Sequence, residues 1–193
     1  LLGINAMLEI VSCGSENLVL DEEEIGVCDL VNAIVKEISP EAEACGVELK
    51  TDVPDDHVYI SGDAARLREA LFHLASNAVK FTGIGGLVAI NTALMDDNRL
   101  VLTIADNGIG ISAKDLPRIM EPFEQADKSL SRGFEGLGLG IPLALAMIRL
   151  HGGDIEYESE LGHGTTVRAW IPAARITSMR DRNPAPLAAN DAG

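Results

Sequence analysis

Between Asp63 and Thr82, Leu67, Leu71, Leu74, Ala78 and Phe81 fall on one narrow apolar stripe, and that spacing predicts a helix buried along one side. Asp63 stands where an N-cap belongs. Away from the stripe, Arg66, Glu69, His73, Asn77 and Lys80 line up, with Glu69, His73 and Asn77 at successive four-residue steps. A solvated polar face is the ordinary reading of such a row. A functional face is the other.

The flanking pattern alternates strands with helices. Leu1 to Val11 has apolar residues at 1, 4, 7, 8 and 11, as at the end of a longer helix. "LVLDEEEIGV" reads as an edge strand, followed by a helix from about Asp29 to Ala44 that Gly46 stops and Pro40 should bend or split. "VELKTDV" and "HVYISG" read as short strands with Pro54 in the turn between them. After the central helix, Gly86 to Leu94 and Arg99 to Ala105 form a hairpin around "MDDN". A short helix is expected at Lys114 to Met120. Glu121 to Glu135 lacks periodicity and reads as a mobile loop. "GLGLGIPLALAMIRLHGG" opens on glycines and continues as an apolar helix, and "DIEYES" with "TTVRAWIP" makes a last hairpin around "ELGHG". The Ala-, Pro- and Asn-rich end, 174–193, is expected to be disordered.

Composition narrows the classes. With 193 residues and 47% apolar content, the chain suffices for one domain of about 150 residues and a short extension. No stretch approaches the roughly 18 consecutive apolar residues of a membrane helix. A net charge of −15 argues against nucleic acid as a partner. The three cysteines form no C-x-x-C pair, which fits a reducing cytoplasm, and a membrane anchor elsewhere in the parent protein is compatible with this. Because residue 1 is Leu, the chain is expected to be a piece of something longer.

Chemistry concentrates in the polar helix face, in "LTIADNGIGIS" (Leu102 to Ser112), in the glycine run and in the "GHGTT" turn. Each also has an ordinary explanation: Asp106 as a turn former, the glycines as close-packing positions, Thr165 and Thr166 as β-formers. Neither G-x-x-x-x-G-K-[ST] nor G-x-G-x-x-G spacing is present. In order along the chain, however, "HLASNAVKF", "DNGIG", "EPFEQ", "GLGLG" and "GHGTT" resemble the asparagine-helix, D-x-G-x-G, phenylalanine, G-x-G-x-G and glycine–threonine boxes of the catalytic domain of two-component sensor histidine kinases. That family lies within the wider group that includes gyrase, Hsp90 and MutL. "EPFEQADKSLSR" resembles in particular the DivL-like cell-cycle kinases of alphaproteobacteria.

The resemblance implies an α/β fold: a two-layer α/β sandwich of the Bergerat ATP-binding type, a mixed sheet packed on three helices, with a flexible ATP lid. It implies that 1–17 is the end of an upstream dimerisation and phosphoacceptor helix with its linker, and that 18–173 is the catalytic and ATP-binding domain. ATP and Mg²⁺ are the implied cofactors. Asp106 would accept a hydrogen bond from the exocyclic amine of adenine, a donor that guanine lacks there, while Gly108 and Gly110 let the backbone pass beneath the purine. Asn77 would ligate Mg²⁺, and Lys80 would meet a phosphate or ribose oxygen. Gly136, Gly138 and Gly140 would turn backbone amides toward the triphosphate, Phe123 belongs to the phenylalanine box, and Arg132 would reach the γ-phosphate. Thr165 and Thr166 would close the site. His73 occupies the place of the usual first asparagine and Leu137 that of a threonine or serine; His73 and Glu69 are thereby candidates for proton handling.

The implied reaction is transfer of the γ-phosphoryl group to a side chain, normally histidine, of the adjoining dimerisation domain of a homodimer, with a response regulator or phosphotransfer protein downstream. None of His57, His73, His151 or His163 lies in an H-E-[LF]-R-x-P context, so the acceptor is expected elsewhere. The alternative is a degenerate kinase or scaffold that keeps the ATP-binding fold and acts through protein partners. An ATP hydrolase, with Glu69 or His73 activating water, is third.

Overall fold

In the computed structural model, which describes residues 19–53, 58–121 and 138–179, the leucine stripe forms a helix from Ala64 to Phe81. Asp63 caps it, its Oδ1 accepting from the Arg66 N–H at 3.1 Å. Burial extends beyond the stripe to Ala70, Ala75, Ser76 and Val79. The reason lies in its neighbours: the helix is the middle one of three. Numbered in chain order, α1 is Val27–Cys45, α2 is Ala64–Phe81 and α3 is Gly140–Leu150, and α2 packs on both others.

Eight strands complete the fold: β1 Glu23–Gly26, β2 Glu48–Asp52, β3 Val58–Gly62, β4 Leu87–Leu94, β5 Leu100–Asp106, β6 Asp154–Glu160, β7 Gly164–Ile171 and β8 Ile176–Met179. Five of them form a sheet in the order β2-β4-β5-β7-β6. It is mixed, as expected, because β2 runs parallel to β4 while the other pairs are antiparallel. Val88, Ile90, Leu102, Ile104, Val167 and Ala169 alternate onto the face under the helices and are buried. The opposite face carries Asn91, Thr103, Arg168 and Trp170, with the Arg99 guanidinium 5.2 Å from the indole centroid.

Three expectations need correction. Pro40 does not split α1, which runs unbroken from Val27 to Cys45. Leu30, Val31, Ile34 and Ile38 before it and Ala42 after it enter the same core, and that packing outweighs the one backbone hydrogen bond a proline forgoes. The helix expected at Lys114 to Met120 is only a turn ending in a 3₁₀ segment, Arg118–Met120, because Pro117 lacks the N–H that would continue a regular helix. Nor does order end near residue 173.

A 3₁₀ turn, Ala173–Arg175, leads into β8, which pairs with β3 in a second, antiparallel sheet of order β1-β3-β8. Composition favoured disorder there, but Arg175 anchors the segment. Its Nε donates to the His151 carbonyl at 2.7 Å, and its Nη1 donates to the Ser61 carbonyl and to Glu22 Oε1, each at 3.0 Å. Ile176 packs against the core. Residues 1–18 and 180–193 lie outside the described residues, and so does any disorder expected of the far tail.

His151 closes α3 and is 1% exposed. Its Nε2 accepts from the Asp63 N–H at 2.9 Å, and its Nδ1 lies 2.8 Å from the Met147 carbonyl, so the ring is neutral with the proton on Nδ1. Burial holds its pKa below the ordinary value, with the nearby Arg175 guanidinium acting in the same direction. An unfolded chain takes up a proton near pH 6.5 that the folded ring refuses, so stability is complete above that pH and is lost as pH falls toward the lowered folded value. The melting temperature is expected to decline between pH 7.5 and 5.5, and less so in His151→Gln. Equal slopes for the two proteins would show that His151 is not the group responsible.

Candidate functional site

Asp106 ends β5 directly opposite Val88 of β4 and Thr165 of β7, on the helix-covered face of the sheet. Its Oδ1 accepts from the Gly108 N–H at 2.9 Å and from the Thr165 N–H at 3.2 Å. Oδ2 has no partner among the described residues. Burial pushes the carboxyl above the usual carboxylate range, against the two backbone bonds that lower it. A buried acid with one oxygen satisfied and the other open is a receptor for a hydrogen-bond donor.

The glycines around Asp106 serve the protein's own backbone more directly than they serve a ligand. A Cβ on Gly108 would overlap the Phe81 carbonyl oxygen, and one on Gly110, where φ is +66°, would overlap the Glu160 carbonyl oxygen. Gly164, at φ +95°, leaves the same kind of gap for the Asp106 carbonyl oxygen. Three loops therefore nest at one end of the sandwich. The Ile109 N–H donates to the Phe81 carbonyl at 3.1 Å and the Gly162 N–H donates to the Ile109 carbonyl at 2.7 Å. The space expected for a purine beneath Gly108 and Gly110 is filled by protein.

A second region of contact lies farther back along α2. Gly140, the first residue of α3, sits so near His73 that a Cβ would come within 3.3 Å of Nδ1. Gly138 turns the chain into this position with φ +68°. Leu139 at the N-cap supplies no side-chain cap, and Pro142 has no N–H, which leaves the Gly140 and Ile141 amides as uncapped donors at the positive end of the helix. From Phe81, which meets the Asp106 loop, to His73, which meets α3, is about 12 Å along the helix axis. Half-buried Asn77 and Lys80 lie between them. Glu69 Oε1 is 3.9 Å from His73 Nε2.

Thus α2 brings Glu69, His73, Asn77 and Lys80 into one row joining Asp106, Gly108 and Gly110 to Gly138 and Gly140. Thr165 also belongs here. Thr166 does not: opposite Ala105 and Glu158, it lies on the far face of the sheet, because strand side chains alternate. Phe123, Arg132, Gly136 and Leu137 lie outside the described residues. Two supports escaped the sequence reading. Ser76 donates to Glu41 Oε2 at 2.9 Å, tying α2 to α1 beside Asn77. Ser159 Oγ receives the Ile111 N–H at 2.7 Å and contacts the Gly164 carbonyl at 2.8 Å and Thr165 Oγ1 at 2.9 Å.

Among the described residues no three His, Cys, Asp or Glu side chains converge as a metal cage, and no helix is long and apolar enough to cross a membrane. A lone amide oxygen at Asn77 fits a hard cation whose other ligands are water and phosphate, the usual situation of Mg²⁺.

Residues 62–175 match the family model described as histidine kinase-, DNA gyrase B-, and HSP90-like ATPase. An uncharacterized sensor-like histidine kinase of Rhizobium meliloti is 36% identical over 172 residues, covering 88% of this chain and 32% of its own length. The histidine protein kinase DivJ of Caulobacter vibrioides is 36% identical over 169 residues, with 88% of this chain and 28% of DivJ covered. The chain thus spans a third or less of these relatives. Among solved structures, full-length ShkA crystallised with AMPPNP superposes with a TM-score of 0.78 at 27% identity, covering 91% of this chain and 35% of ShkA.

Proposed function

Because the chain belongs to the family of histidine kinase-, DNA gyrase B- and HSP90-like ATPases, we propose that its ATP site has adenine on Asp106 and phosphates at the first turn of α3, and that its parent protein transfers the γ-phosphoryl group to a histidine. The observation that carries the reading is the divided Asp106 carboxylate, one oxygen held by backbone and the other open. Adenine offers an amine to such an oxygen; guanine offers a carbonyl. The crystallisation of ShkA with AMPPNP supports the same placement.

Phosphoryl transfer asks the protein for position and charge compensation more than for covalent help. Asn77 would hold Mg²⁺ through its amide oxygen, and the ion would supply charge neutralisation at the phosphates. Lys80 adds a cation from the last turn of α2. The uncapped amides of α3 favour anionic oxygens. The paired Glu69 and His73 face that helix start and hold or pass a proton there. Phe123, Arg132 and Gly136 keep the roles implied by the resemblance. The acceptor histidine, the dimerisation domain that bears it, the homodimer and a response regulator all belong to the parent protein.

Asn77→Ala is expected to leave α2 folded, since alanine is the stronger helix former and Asn77 lies off the buried stripe. It should abolish most of the Mg²⁺-dependent gain in ATP affinity while leaving adenosine binding nearly unchanged, as read by calorimetry with Mg²⁺ and with EDTA. An unaltered magnesium dependence removes Asn77 from the metal's shell. Transfer of labelled phosphate from ATP to the parent's dimerisation domain tests the reaction itself.

A further inference from the structure

Ser159 lies on β6, opposite Thr165 of β7. A serine hydroxyl has one proton to give and room to accept two. The Ser159 proton goes to the Gly164 carbonyl, 2.8 Å away, because a carbonyl only accepts. The Ile111 N–H fills one accepting position at 2.7 Å. The remaining contact, 2.9 Å to Thr165 Oγ1, therefore has Thr165 donating and Ser159 accepting. Every hydrogen-bonding position of Ser159 is used, and the Thr165 proton is committed away from Asp106.

We infer that Ser159 is a positioning residue for base selection: by taking the Thr165 proton it leaves that hydroxyl able only to accept, beside the open oxygen of Asp106. Two acceptors on one rim favour a purine edge that brings a donor and oppose one that brings a carbonyl. This rests on the nucleotide reading above. Ser159 touches no base; it acts through Thr165. It also ties the Ile111 backbone to the Gly164 turn, which would affect any bound nucleotide alike. Selectivity between bases separates the two roles.

The probes are ATP and ITP, which differ only at the purine edge, where ITP has a carbonyl and a ring N–H in place of the amine and a bare nitrogen. In the 193-residue chain, Ser159→Ala should lower the ATP-over-ITP preference by roughly threefold to tenfold, because the freed Thr165 proton is then available to a carbonyl. Thr165→Val, which retains its N–H bond to Asp106, should also lower the preference. The double variant should be no less selective than Thr165→Val alone, since Ser159 then has nothing to orient. A preference unchanged in Ser159→Ala, or effects that simply add in the double variant, overturns the inference. Should Ser159→Ala fail to fold, an unchanged preference in Thr165→Val overturns it equally. A wild-type chain that binds neither nucleotide overturns the adenine reading and this one with it.

Discussion

Asp106→Asn is expected to lose ATP affinity by about 2 kcal/mol or more, some thirtyfold, while the protein melts no earlier than the wild type. Asparagine retains an Oδ1 for the Gly108 and Thr165 amides, so the loop keeps its two bonds. Its amide nitrogen replaces Oδ2, and a donor then faces the donor of adenine. Stability moves the other way. Burial raises the folded pKa of Asp106, so the folded carboxyl binds protons in a range where the unfolded one, near 3.9, has released them. Ionisation at neutral pH therefore costs the empty wild-type fold stability, which it recovers as pH falls from the raised value toward 3.9. The amide has no such cost. Calorimetry with ATP and thermal melts at pH 7 check both halves, and ATP affinity at the wild-type level would remove Asp106 from the site.

The second large effect concerns Gly164. Gly164→Ala should destabilise the fold by about 3 kcal/mol or more, because a Cβ there meets the Asp106 carbonyl oxygen and φ is +95°, where L-residues are strained. Gly83→Ala is the control: nothing lies within 4 Å of the Cβ it would add, and its effect should be within about half a kcal/mol. Denaturant midpoints of the two variants give the comparison. Equal midpoints would mean that the three loops around Asp106 yield without cost, contrary to the interlocked geometry.

The sequence exposed what repeats and hid what depends on distant contacts. The boundaries of α2 followed from a 3.6-residue period and a capping Asp, both local signals. The row from Glu69 to Lys80 was visible too, although its partner, the start of α3, lies far along the chain and entered only through the resemblance. Thr165 and Thr166 show what a doubled residue conceals. The choice between them turns on the phase of the strand, and buried Val167, Ala169 and Ile171 set that phase in favour of Thr165. Ser159 read as one more polar residue in an alternating strand, since saturation of its hydroxyl requires Ile111 and Gly164 to be in place. The four-residue β8 lay in a tail whose composition argued for disorder, and only Arg175 and the edge of β3 contradict this.

That edge has a consequence for synthesis. β3 lies between β1, which precedes it, and β8, which follows the five-stranded sheet. Arg175 and its acceptor at Ser61 are 114 residues apart, so at about 5–20 residues per second a ribosome leaves β3 half-paired for roughly 6 to 23 s. During that time the nascent chain presents an open strand, the usual template for pairing with a neighbouring chain. Release of the C-terminal segment, rather than completion of the ATP site, is then the event that ends the risk.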